Sequence, residues 1–249
     1  MSSLKRISLV LVCLLGVAAS SAWAQDAPPE AKPAWSGSFG AGLSLTKGNT
    51  DTSNVNVSYD VKRDPDDHFV FTSKGLFLRG DKDGELTTSR LGLDARLDRK
   101  YSDRTSLFVQ VQYLRDPFKE IEYLVTPSIG IAHLFVTNEA TEFGADVSVG
   151  GVWEKNTGRS TRSDGALNAG QHFKQKLSDT AEFTERVTAL WKMQDFGDSL
   201  YTFGLGVAAS ITNRTQLKFE VIDTYKNKPP SADVKKNDVS LLVSFVFKF

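Results

Sequence analysis

The chain has 249 residues, with 30 Lys plus Arg against 30 Asp plus Glu, a single cysteine and 40% hydrophobic residues. That balance excludes the basic excess of a nucleic-acid binder. No apolar run reaches the roughly 18 residues of a transmembrane helix.

Lys5 and Arg6 precede an apolar core over 7–19, and Ala22-Trp23-Ala24 is a small-x-small cleavage site. Residues 1–24 therefore read as a signal peptide cut before Gln25, the core being short for a permanent span of about 20 residues. An uncleaved anchor is the alternative. Cys13 sits inside the apolar core behind Val12, which is not the small residue of a lipoprotein site. Losing Lys5 and Arg6 leaves 28 bases against 30 acids and no cysteine for a disulfide. Residues 25–34, "QDAPPEAKPA", suit an extended linker.

From Trp35 to Phe249 the dominant period is two. Phe39, Ala41 and Leu43 share one face; Val55, Val57, Tyr59 and Val61 repeat it, and so do Leu107, Val109 and Val111, then Phe203, Leu205 and Val207. Such alternation predicts strands with one apolar face. About twelve are expected, with 10 or 14 as alternatives, each of roughly 9 to 13 residues, the length of tilted membrane-crossing strands. Segments 68–79, 165–177 and 181–191 are mixed on both faces. Glu185 falls in the apolar register, which points to a bulge or to a mistaken strand assignment in these stretches.

Short turns such as "YSDRT" (101–105) and "ITNRT" (211–215) alternate with mostly longer connections such as "EKNTGRSTRSD" (154–164) and "YKNKPPSADVKKN" (225–237). This is the rhythm of a hairpin array. Tyr113, Tyr123, Trp153, Trp191, Tyr201 and Tyr225 mark the long-loop end, and Trp35, Phe69, Tyr101, Phe135 and Phe249 the other. Two aromatic belts around an apolar band belong at membrane-water interfaces. The predicted fold is an all-β transmembrane antiparallel up-and-down barrel over 35–249. A soluble periplasmic ligand-binding barrel, with the same apolar set turned inward, is the alternative.

The last strand carries Phe245, Phe247 and Phe249 on its apolar face. An unpaired edge in lipid is costly, so this strand must close the ring against the first. Its terminal Phe also resembles the signal read by the outer-membrane insertion machinery.

The polar face becomes the lumen. Asp60, Arg90, Asp94, Arg96, Arg186, Lys218 and Glu220 are the charged residues expected to face it. They either select small polar solutes in a narrow pore or pair across the lumen and plug it.

His68, His133 and His172 lie on separate segments, without the spacing of a metal site. Asn168 and His172 are four residues apart with no serine at a diagnostic spacing, so no enzyme, catalytic residue, metal or cofactor is expected. The close glycines in "SFGAGLS" (38–44) sit in a strand and suit bending at a barrel seam rather than a phosphate cradle. Lys155, Arg159 and Arg162 in one long loop, and Lys226, Lys228, Lys235 and Lys236 in another, are candidates for lipopolysaccharide phosphates.

The opening "WSGSFGAGLSLTKGNTDTSNVNVSYDVKR" (35–63) and the closing "NDVSLLVSFVFKF" (237–249) resemble the YdiY-like salt-induced outer-membrane proteins, a group defined mainly as a domain of unknown function. The resemblance implies a β-barrel in the outer membrane of a Gram-negative bacterium, in contact with its lipid and lipopolysaccharide. It implies no catalytic residue, and a salt or osmotic-stress role only by label.

Overall fold

The computed structural model describes residues 35–47, 52–64, 68–82 and 85–249. The expected signal peptide, the linker and the Gly48-Asn49-Thr50 turn lie outside these. Twelve antiparallel strands form one closed barrel: β1 (Trp35–Lys47), β2 (Thr52–Arg63), β3 (Phe69–Lys82), β4 (Glu85–Lys100), β5 (Thr105–Asp116), β6 (Ile121–Thr137), β7 (Thr141–Asn156), β8 (Arg162–Lys176), β9 (Ala181–Lys192), β10 (Asp195–Ser210), β11 (Thr215–Lys226) and β12 (Asn237–Lys248). One 3-10 turn, Pro117–Lys119, follows β5.

The apolar set of each strand faces outward. Leu43 is 66% exposed and Val147 54%, while inward-facing Leu242 and Phe108 are each 2% exposed. Apolar side chains left in the open around a ring of strands mean that lipid is their solvent. The soluble alternative required them inside and is excluded.

β12 closes against β1. Phe39 is the partner of Phe247, and Gly37 and Phe249 exchange two backbone hydrogen bonds of 3.0 Å each. The Phe39 and Phe249 rings stack at 5.6 Å. At this seam a Cβ on Gly42 would collide with the Val243 carbonyl, so the glycine serves close strand approach.

Three expectations need correction. The strands run to 12–17 residues rather than 9–13, because polar residues of the assigned long loops continue the ladders. Only residues 193–194 separate β9 from β10, and the extended irregular connection is 227–236. Polar hairpin extensions remain satisfied outside the apolar band, so their composition did not reveal them. Glu185 lies in an unbroken register, opposite Phe173 and Leu205. The bulges fall elsewhere, near Gly80, Leu114, Ile121, Leu134 and Asp195. The mixed stretch 68–79 is likewise regular, and it reads as mixed because Val70 and Leu78 are buried on the inward face.

Candidate functional site

The barrel interior gathers the polar side chains of all twelve strands, and its two halves differ. Toward the short turns the charges are partly open to solvent. Asp60 pairs with Lys74 at 2.9 Å and Lys218 with Glu220 at 2.9 Å. Arg96 grips Asp98 with two hydrogen bonds of 2.8 and 2.9 Å, lies 3.7 Å from Asp146, and stacks 3.6 Å over the Phe108 ring. Asp94 is held by amides: Gln112 donates at 3.1 Å and Gln110 also donates. Arg186 faces inward and is exposed. A polar cavity of about 380 Å³ at this rim is lined by Glu142, Lys174, Glu182 and Lys248, among others.

Toward the long loops the interior is filled. Glu154 on β7 accepts from Lys226 on β11 at 3.0 Å and from Lys192 on β9, and Asp198 lies 2.6 Å from Lys192 and 3.5 Å from Lys226. The 3-10 turn folds inward, so that Lys119 pairs with Asp238 at 3.1 Å and donates to the Thr224 carbonyl at 3.2 Å. Burial pushes the Lys119 ammonium below the usual lysine range, against the pull of Asp238. Arg90 on β4 donates to Thr224 Oγ1 on β11 at 3.1 Å. Beneath these charges Ile121, Leu124, Val152 and Ala166 form a dry cluster. Lys119, Glu154, Lys192 and Lys226 are each no more than 4% exposed, and burial on this scale requires the paired charges found here.

The seven sequence-derived residues thus occupy different levels. Only Arg90 joins the buried end, and no two of them beyond Lys218 and Glu220 form an ion pair with each other among the described residues. Sequence reading missed Lys119, Glu154, Lys192, Asp198 and Asp238, and placed Lys226 in a loop although it is buried in the barrel. A usable signal was present: Trp153-Glu154, Trp191-Lys192 and Tyr225-Lys226 each pair an outward belt aromatic with the next, inward residue. Other loop cations are engaged as well: Lys155 with Glu122 at 2.6 Å, Lys228 with Asp195, and Arg159 with the Pro230 carbonyl.

His133 shares a 2.9 Å hydrogen bond with Thr105 Oγ1, whereas His172 faces Glu142 in the lumen at 3.4 Å. Asn168 donates to Ser148 Oγ at 3.3 Å rather than meeting His172. Among the described residues no three His, Cys, Asp or Glu are grouped to hold a metal ion.

Residues 39–249 match the family model "Protein of unknown function, DUF481". The chain belongs to this family. Comparison with curated proteins gives no match. Among solved structures, the DUF481 barrel is similar to the NanC porin, at 9% identity and a TM-score of 0.59 over 85% of this chain and 100% of that one. It is similar to the translocator domain of the autotransporter NalP from Neisseria meningitidis, at 11% identity and 0.51 over 87% and 89%. The COG4313 outer membrane channel from Pseudomonas putida F1 aligns at 12% identity and 0.50 over 90% and 100%. At these identities the likeness is one of fold. Together with the apolar outer wall, it makes the DUF481 barrel an outer-membrane β-barrel.

Proposed function

We propose that the protein is a narrow channel for small polar solutes in the Gram-negative outer membrane, reached through a cleaved signal peptide and held closed at its long-loop end. The observation that carries this reading is the buried network around Glu154, which spans the lumen from β7 to β11 above an interior that opens toward the short turns. Side chains on β7, β9, β10 and β11 form this network, so opening requires its ion pairs to part together with a shift of the 227–236 connection and the 3-10 turn. That connection is tied down by Ser231 donating to Glu120 at 2.8 Å and by Arg159 donating to the Pro230 carbonyl.

The terminal pairing of Phe249 supports delivery by the barrel insertion machinery. The lipopolysaccharide contact is weaker, because phosphate would have to displace Glu122 from Lys155 and Asp195 from Lys228. The dry cluster of Ile121, Leu124, Val152 and Ala166 favours a second reading, a structural barrel with a permanently filled lumen. Planar-bilayer recordings of refolded residues 25–249 separate the two. A closed channel gives brief, rare openings that become long ones when Glu154 is replaced by Gln, and silence in both proteins selects the structural barrel.

A further inference from the structure

The lumen wall between β7 and β9 has a gap in its side chains. Gly170 on β8 faces inward, and its partners are Asp146 on β7 and Thr188 on β9. A Cβ on Gly170 would lie 2.6 Å from Asp146 Oδ2, so the carboxylate leans over bare backbone. One inward position nearer the short turns, Gly144, His172 and Arg186 are partners across the same three strands.

Arg186 is exposed, and three inward carboxylates near it in register are taken: Glu142 by His172 at 3.4 Å, Glu182 by Lys174 at 2.9 Å and Glu220 by Lys218 at 2.9 Å. Among the described residues Asp146 has only Arg96, at 3.7 Å, as an ion-pair partner, and that guanidinium is already committed to Asp98.

A carboxylate leaning over a glycine and an exposed guanidinium therefore border one niche. Asp146 and Arg186 stand two strands apart and two residues apart in register, about 12 Å at the backbone. Charge-assisted hydrogen bonds of about 2.8 Å at each end leave a few ångströms for a solute between them. We infer that this niche binds small zwitterions of amino-acid type, with the ammonium on Asp146 and the carboxylate on Arg186. An ion of one sign satisfies only one wall. The inference rests on the solute-channel reading and names its substrate class.

The test is an NMR titration of refolded residues 25–249 in detergent micelles with glycine, acetate and methylammonium. Glycine is expected to saturate, and acetate and methylammonium to bind at least tenfold more weakly. Arg186→Gln and Asp146→Asn should each weaken glycine at least tenfold while keeping the heat-dependent gel shift of a folded barrel. Absence of saturable glycine binding, acetate binding as tightly as glycine, or both variants binding glycine like the parent overturns the inference. Because binding is read without a membrane current, the two readings fail separately: a glycine-binding barrel that never conducts rejects the channel alone, and a conducting barrel indifferent to glycine rejects the niche alone.

Discussion

Lys226 Nζ meets Glu154 Oε1 at 3.0 Å although three strands separate β11 from β7 along the wall, so the contact is a chord through the barrel interior. Lys192 reaches the same carboxylate from β9. One buried anion thus holds two cations that Asp198 alone cannot satisfy as well. Replacing Glu154 by Gln removes the charge and keeps the shape. Breaking a buried pair in this way costs about 3–5 kcal/mol, so the variant should unfold at a lower temperature in the heat-dependent gel shift. An unchanged unfolding temperature would show that the lysines find other partners.

The outward assignment of the apolar face predicts a sided response to charge. Val207 is 40% exposed on the outer wall, whereas Thr188 on β9 faces the lumen beside Gly170. Arg at position 207 should impair assembly by about 2–4 kcal/mol, the cost of a cation facing mid-bilayer lipid. Arg at position 188 enters a polar interior and should assemble nearly normally. Yields of heat-modifiable barrel in outer-membrane fractions check both, and equal yields would refute the sidedness.

Much of this architecture was legible because a strand's period of two survives any rearrangement of its neighbours. The outward set on β12 and the inward direction of Arg96 and Arg186 both follow from that parity. What parity could not supply was the level at which each inward residue sits. Level depends on stagger accumulated around the closed ring, which is why Arg90 meets Thr224, 134 residues away, rather than any acid near it in sequence. The filled end was hidden for a second reason: Glu154, Lys192 and Lys226 are charged, and charge at a strand end resembles a solvated loop until the strand is seen to continue.

The seam glycine offers a steric test. A Cβ at Gly42 would overlap the Val243 carbonyl, whereas one at inward-facing Gly92 meets nothing within 4 Å. Gly42→Ala should therefore separate β1 from β12 and cost about 1–3 kcal/mol, as overpacking does, with Gly92→Ala close to neutral. Urea titration of the refolded variants reads the difference. A neutral Gly42→Ala would mean that the seam relaxes without loss.

The short-turn rim carries a titratable clamp. Asp64 follows β2 and lies 3.0 Å from both Lys62 and Lys100. Burial raises its pKa, but hydrogen bonds from Lys100 and Lys62 and their charges outweigh that and hold it below the usual carboxylate range. A carboxyl depressed in the folded state contributes stability that is complete above its unfolded pKa of about 3.9 and is lost as pH falls through the lower folded value. Asp64→Asn should then lower the urea midpoint at pH 7. The gap between variant and parent should close progressively below about pH 4, as the parent's own Asp64 takes up its proton and releases both lysines. A gap of the same size at pH 3 and pH 7 would place the clamp's contribution in packing rather than in charge.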